Sequence, residues 1–321
     1  MRKLVIQIPC YNEEHALPVA LAELPREVPG FDAVEWLIID DGSRDRTVEV
    51  ARECGVDHVV HLPQNQGLAK AFMAGLDACI KAGADVIVNT DADNQYCAAD
   101  IPKLVQPILD GEAEIVIGER PVRQTDHFSP VKKSLQRFGS WVVRKLSGTT
   151  IPDAPSGFRA ISRGAALKLN VFNEYTYTLE TIIQAGVKGI SIRSVPIRTN
   201  EDLRPSRLVK SIRSYVWRGM VTILRIFMIY RPARTFLYLG ILPFLGGGGL
   251  MIRWLIYRIF FFDPAKSRTP SLILAATLIF IGAQLWTFGM LAEVMATNRK
   301  LLEEVQYRLR LRRSDLGDEG D

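Results

Sequence analysis

Over roughly the first 200 residues, short apolar runs alternate with amphipathic stretches. LVIQIP (4–9), EWLIID (35–40), DHVVHLP (57–63), ADVIVNTD (84–91) and EIVIGE (114–119) read as strands, and VKGISIRSVPI (187–197) reads as the strand that closes the sheet. Between them, NEEHALPVALAEL (12–24), DRTVEVARECG (45–55) and GLAKAFMAGLDACIKAG (67–83) place apolar residues at helical spacing, with Gly55 and Gly83 as stops. Further helices are predicted over 98–110 and 131–147, and an apolar segment around 158–169. Strands alternating with helices predict an α/β domain with a mainly parallel sheet.

After residue 200 the pattern changes. Residues 202–234 carry Arg204, Arg207, Lys210, Arg213, Arg218, Arg225, Arg231 and Arg234 among Leu, Ile, Trp and Tyr. This composition suits basic amphipathic helices on a membrane surface. The other reading is a solvated helix packed on the first domain. TFLYLGILPFLGGGGLMI (235–252) then runs eighteen residues without a charge, and PSLILAATLIFIGAQLWTFGMLA (270–292) runs twenty-three. A bilayer core takes about 20 apolar residues in a helix, so two spans are expected. The first holds Pro243 and Gly246–Gly249, which allow a kink, an extension through Arg253 into WLIYRIFFF, or close approach of neighbouring copies. The expected division is therefore 1–200, a catalytic-type α/β domain; 201–234, juxtamembrane helices; 235–297, a two-helix membrane hairpin; and 298–321, a charged tail.

Charge extends this picture. The 321 residues carry a net charge of +5 with a pI near 9.0. Such a balance suits nucleic acid, membrane or phosphorylated substrates. The basic residues border the two spans, in 202–234 and again in RKLLEEVQYRLRLRR (299–313), so lipid headgroups account for them and nucleic acid is not expected as a partner. By the positive-inside rule both termini and the α/β domain lie in the cytosol, at the inner (cytoplasmic) membrane. The start, MRKLVIQIPCYNE, is expected to be a first strand and not a signal peptide. Cys10, Cys54, Cys79 and Cys97 show no paired spacing and read as free thiols of a reducing compartment.

The chemistry concentrates where strands end. In an open α/β sheet, ligands bind beyond the carboxyl ends of the strands. NTDADNQY leaves such an end and places Asp91, Asp93 and Gln95 at i, i+2 and i+4. Three oxygen donors at that spacing suit one hard cation, Mg²⁺ or Mn²⁺, which relieves the carboxylate repulsion and can bridge a diphosphate. A polar turn with an Asp cap gives the same triplet; its place after DVIVNT favours the cation. Three other strand ends agree: IPCYNEE with Pro9, Tyr11, Asn12 and Glu13; IIDDGSRDRT with Asp40 and Asp41; and PQNQGLAKAFMAG with Asn65, Gly67 and Lys70 at a helix start that favours anions.

Taken in order, IPCYNEE, IIDDGSRDRT, NQGLAKAFMAGL, NTDADNQY and DAPSGFRAISR closely resemble family 2 inverting glycosyltransferases of the GT-A fold, and within them the polyprenyl-phosphate type. The resemblance spans about residues 3–200, and a membrane hairpin after the catalytic domain matches bacterial members of that type. It implies that Pro9, Tyr11, Glu13, Asp41 and Lys70 hold the donor with Asp91, and that Asp91, Asp93 and Gln95 hold the metal. It implies Arg120, Lys132, Lys133, Arg137 and Arg159 as acceptor-phosphate ligands, although Gln136 stands where the family often has Ser. Asp93, Asp153 and Arg207 would be catalytic, Asp153 orienting groups or acting as base. SGFR reads equally as a structural turn, and RPSR (204–207) as a loop closing on the donor or as lipid contact.

The reaction so implied is metal-dependent transfer of a sugar from a UDP- or GDP-sugar to a lipid monophosphate. A hydroxyl acceptor needs a general base. A lipid phosphate is already ionised near neutral pH and needs cations instead. Two rivals stand beside it: a tethered transferase that extends a saccharide, and a non-catalytic nucleotide-sugar-binding scaffold for a flippase or polymerase. An oligomer through the Gly-rich span is a further expectation.

Overall fold

The computed structural model describes residues 1–121, 140–141, 143–144, 147–171, 177–200, 221, 225, 228, 230–260 and 269–317. The chain divides into two compact units, Met1–Gly219 with Val305–Asp321, and Met220–Glu304.

The first unit holds a seven-stranded sheet in the order β3-β2-β1-β4-β6-β5-β7. Its strands are β1 (Lys3–Cys10), β2 (Ala33–Asp40), β3 (His58–His61), β4 (Val86–Asn89), β5 (Ile115–Glu119), β6 (Arg159–Ser162) and β7 (Ile192–Pro196). β1, β2, β3 and β4 pair in parallel, as do β5 and β7; β6 alone runs antiparallel, between β4 and β5. The same unit holds helices α1 (Leu17–Glu23), α2 (Thr47–Glu53), α3 (Leu68–Lys81), α4 (Ile101–Leu109), α5 (Arg163–Lys168) and α6 (Thr178–Lys188).

The central strands are buried on both faces, which is why their sequences are continuous apolar runs and not alternations. Leu4, Ile6, Ile8, Ile38, Val88, Val116 and Phe158 form one core with Leu17, Leu21, Ile101 and Leu104 of the helices. Several elements differ from expectation: α6 stands where no helix is expected, and β7 covers only Ile192–Pro196 of the stretch 187–197. The first helix begins at Leu17 because Glu13–Ala16 make a turn, closed by Ala16 and Leu17 donating to the Glu13 carbonyl, with Pro18 in the first helical turn. The apolar segment near 158–169 splits into the reversed strand β6 and the short helix α5, capped by Ser162 accepting from the Ala165 amide.

A fully buried carboxylate, Asp100, fixes the chain after β7. It accepts from the Arg198 amide (2.7 Å), the Arg198 guanidinium (2.8 Å) and Lys103 (2.8 Å). Burial alone would raise its pKa, but these donors outweigh burial and hold it well below the usual carboxylate range. Its stabilisation is therefore complete above the unfolded-state pKa and fades as pH falls through the lower folded value. Asp100→Asn is expected to lower Tm at pH 7 by about 5 °C, and the deficit against wild type should shrink below about pH 4. Thermal scans from pH 7 to pH 3 check this; a deficit constant across that range would refute it.

The second unit contains α7 (Pro232–Phe260) and most of α8 (Thr269–Gly317). Both are long and apolar enough to cross a membrane. A core helix of a soluble protein would be mostly covered, whereas only 11% and 17% of their apolar windows are buried. These two helices suggest membrane association. Pro243 lies inside α7, which runs on through Arg253 to Phe260. Gly240 and Gly247 are taken up by the hairpin itself: a Cβ there would sit 2.5 Å from Trp286 and 2.6 Å from the Ala275 carbonyl. Gly248 and Gly249 have nothing within 4 Å. α8 does not stop at the end of the apolar run; one helix carries on through 299–313, where Arg299 pairs with Glu303 (2.8 Å). Its last turns count with the first unit, where Arg310 pairs with Asp77 (3.2 Å) and donates to the Leu169 carbonyl (2.8 Å).

Candidate active site

Sheet topology gathers the expected motifs. The order 2-1-4 leaves a switch point between β1 and β4, where chain direction over the sheet reverses and a crevice opens. β1 ends at Cys10, β2 at Asp40, β4 at Asn89 and β5 at Glu119, all on one edge. Because β6 is reversed, its start at Arg159, and the DAPSG turn before it, reach the same edge.

The first two loops are laced together. Asn12, with φ 55°, donates its amide to the Ser43 hydroxyl (2.9 Å) and accepts from the Arg44 amide (2.8 Å). The Glu13 amide donates to Thr47 (2.9 Å) and the Glu14 amide to Asp45 (3.2 Å). Asp40 is fully buried; it takes the Ser43 amide (3.0 Å) and hydrogen-bonds His61 (2.6 Å). Asp41 accepts from the Gln66 (2.7 Å) and Gly67 (2.9 Å) amides and so holds the loop that opens α3. Gly42 sits between them at φ +72°, and a Cβ there would lie 2.6 Å from the backbone of Gln64, so the turn admits only glycine. Pro9 lies inside β1, Glu13 is buried, and Tyr11 is exposed. Lys70 is exposed in the first turn of α3 with no acidic partner among the described residues.

The acidic loop after β4 is the electrostatic centre. Asp91 and Asp93 are both partly buried, and the Asp93 carboxylate accepts from the Gln95 amide (3.2 Å). Burial, and then the neighbouring charge of Asp93, push the Asp91 carboxyl up to about 7, against the pull of Arg120, Arg159 and a hydrogen bond from Tyr96. A carboxylate pair in that state is short of positive charge. The donor set of two carboxylates and one amide oxygen is the hard-oxygen chemistry that Mg²⁺ or Mn²⁺ takes, so the residues fit such an ion. Tyr96 is buried and accepts the Gly157 amide (2.9 Å). A Cβ on Gly157 would lie 3.0 Å from both Asp91 and the Tyr177 hydroxyl, so the turn closes directly beneath the acidic loop.

The acceptor side departs from expectation. Arg120, only 16% exposed, meets Asp153 through two parallel contacts, Nε to Oδ2 at 2.8 Å and Nη2 to Oδ1 at 3.0 Å, and its amide adds a third (3.2 Å). The two were expected in separate roles, and the structure joins them as a bidentate pair. Arg159 was expected to bind acceptor phosphate. It is instead wholly buried: its guanidinium donates to the Thr178 carbonyl (3.3 Å), Thr181 and the Ser156 carbonyl, and lies 5.2 Å from the Tyr177 ring. No solvent-borne phosphate reaches it there, and the SGFR stretch is structural at Arg159. Lys132, Lys133, Arg137 and Arg207 lie outside the described residues.

A buried polar network under the site went unassigned in the sequence. Gln7 donates to Asn89 (2.9 Å), and Asn89 donates to the Gly157 carbonyl and the Tyr177 hydroxyl (both 2.9 Å). Tyr177 stacks on Phe72 with ring centres 3.9 Å apart. The available signal was one amide in each of two buried apolar strands, LVIQIP and DVIVN, and these two residues are register partners.

An α/β sheet with polar loops along one edge and an acidic loop at its switch point is the architecture of a nucleotide-type ligand site. The chain belongs to glycosyl transferase family 2, whose model matches residues 5–169. It is 30% identical over 217 residues to the UDP-N-acetylglucosamine–dolichyl-phosphate N-acetylglucosaminyltransferase of Methanococcus voltae, covering 60% of this chain and 83% of that one. It is also 30% identical to the polyprenol monophosphomannose synthase of Mycolicibacterium smegmatis, covering 62% and 78% of the two chains. The same identity holds for the undecaprenyl-phosphate mannosyltransferase of Micrococcus luteus, with 61% and 83% covered. Among solved structures, glucosyl-3-phosphoglycerate synthase from Mycobacterium tuberculosis, in complex with phosphoglyceric acid, superposes with a TM-score of 0.57 at 22% identity. The match covers 70% of this chain and 80% of that one, and it shows the GT-A-type fold. That synthase has also been solved with Mn²⁺ and UDP.

Proposed function

We propose that this glycosyltransferase moves a sugar from a nucleoside-diphosphate sugar to the phosphate of a membrane polyprenyl phosphate, with inversion at the sugar. The relatives named above act on dolichyl, polyprenol and undecaprenyl phosphates, which supports the acceptor class. One observation carries the choice over a hydroxyl acceptor. Asp153, the carboxylate expected on the acceptor side, is paired bidentate with Arg120, so it is engaged in holding a guanidinium and is not poised as a lone base for an incoming hydroxyl. A phosphate acceptor arrives ionised and asks for no base.

In this reading Tyr11, Glu13 and the laced loops 11–14 and 42–47 hold the nucleoside. Asp41 acts by fixing residues 66–67, and Lys70 faces the diphosphate. Asp91, Asp93 and Gln95 would hold a divalent ion, Mg²⁺ or Mn²⁺. Bound there, such an ion supplies positive charge against the departing diphosphate. Arg120, Lys132, Lys133 and Arg137 would meet the acceptor phosphate, and Arg207 the diphosphate. The membrane helices would hold this unit at the inner membrane face, with both termini cytosolic, the short connection outside, and the lipid headgroup within reach. The remaining alternative is a tethered transferase that extends a saccharide.

The test is incubation of the purified full chain with undecaprenyl phosphate, Mg²⁺ or Mn²⁺, and a panel of UDP- and GDP-sugars, reading released nucleotide and the mass of the lipid product. A lipid-monophosphate sugar formed from one donor supports the reading. Sugar transferred only to added saccharides, or donor bound with no turnover, overturns it.

A further inference from the structure

The acidic loop is held by more than its own turn. Asn94, between Asp93 and Gln95, takes φ 56°, and its side chain donates to Glu23 Oε1 (2.9 Å). The other Glu23 oxygen accepts from the Asn200 side chain (3.0 Å), whose second N–H goes to the Asn94 carbonyl (3.1 Å). Behind the loop a short antiparallel ladder continues: the Asn200 amide donates to Gln95 (2.9 Å), Tyr96 bridges Thr199, and the Cys97 amide donates to Arg198 (3.2 Å). Asp100 anchors Arg198 from below.

Glu23 is the last residue of α1. A carboxylate at the negative end of a helix dipole is the disfavoured placement, so helix stability does not explain it. Its partners do. We propose that Glu23, Asn94 and Asn200 form a clamp that sets the positions of Asp91, Asp93 and Gln95, and that all three are positioning residues for metal and donor binding. The proposal rests on reading that loop as the metal–diphosphate site. It makes the metal loop depend on residues 198–200, the chain that leaves β7 and leads into the basic segment.

Glu23 is exposed. One of its two bonds is exposed and the other half-buried, and they end on the side chains of Asn200 and Asn94, so losing them should act on the loop more than on the fold. Glu23→Ala removes both bonds; Glu23→Gln keeps one acceptor oxygen. Full-length variants are compared by Mn²⁺ binding in the presence of UDP, read by electron paramagnetic resonance, alongside donor KM, acceptor KM and Tm. Glu23→Ala is expected to weaken Mn²⁺ binding and raise donor KM by about tenfold each. Acceptor KM should stay within about twofold and Tm within about 3 °C, with Glu23→Gln between the two. Unchanged Mn²⁺ binding in Glu23→Ala overturns the clamp, as does a loss in which Tm and both KM values move together. Failure of the underlying reading looks different: Asp93→Ala would then bind Mn²⁺ as tightly as wild type.

Discussion

Asp93→Ala is expected to lower kcat for transfer by about a thousandfold or more, the scale on which a group that stabilises transition-state charge is missed. The fold should survive. Asp93 is only partly buried, and within the loop it takes the Gln95 amide, so its removal strands no buried charge. The change also frees Asp91. Part of what raises the Asp91 carboxyl to about 7 is the charge of Asp93, so in Asp93→Ala it ionises more readily. A loss of metal binding in this variant therefore cannot be put down to a protonated Asp91. Asp93→Asn refines the point, because it keeps an acceptor for the Gln95 amide and removes only the charge. If Asn restored transfer to within about tenfold of wild type, the carboxylate would be shaping the loop and not holding an ion. Rates of lipid product formation, paired with Mn²⁺ binding and Tm for both variants, separate these cases.

Sequence alone made the sheet's parallel half legible, because a strand buried on both faces reads as a mainly apolar run, and LVIQIP, EWLIID and DVIVN are such runs. The edge that carries the chemistry was legible for the same reason: each run gives way within a few residues to Asn or Asp. The direction of β6 was not. RAIS is four residues long, and no local feature of a short apolar run tells an antiparallel insertion from a parallel continuation. That one reversal decides what the DAPSGFR stretch does. It turns Gly157 toward the acidic loop while the side chain of Arg159 packs inward against Tyr177. A basic residue near a motif reads as a phosphate ligand in one dimension. Whether its guanidinium faces solvent or three protein oxygens is settled only by packing. The clamp was hidden for a similar reason: Glu23 and Asn200 are 177 positions apart, and neither sits in a motif.

The Arg120–Asp153 pair sets the second large effect. Asp153→Ala leaves a guanidinium only 16% exposed without its carboxylate. Removing one partner of a buried pair costs about 3–5 kcal/mol, so a large drop in Tm is expected together with loss of transfer. That variant alone does not say whether the pair is scaffold or machinery. The double variant Arg120→Met/Asp153→Leu does, because apolar residues of similar volume often replace a buried ion pair at little cost to stability. It is expected to recover most of the lost Tm and yet stay about a hundredfold or more below wild type in transfer. Arg120→Lys should fall between, since an ammonium keeps the charge but cannot make two parallel bonds to Asp153. With acceptor KM raised more than donor KM in both, the pair belongs to the phosphate-receiving side of the site. A double variant that regains both stability and rate would make Arg120 and Asp153 structural. The acceptor phosphate would then fall to the basic residues between 132 and 137.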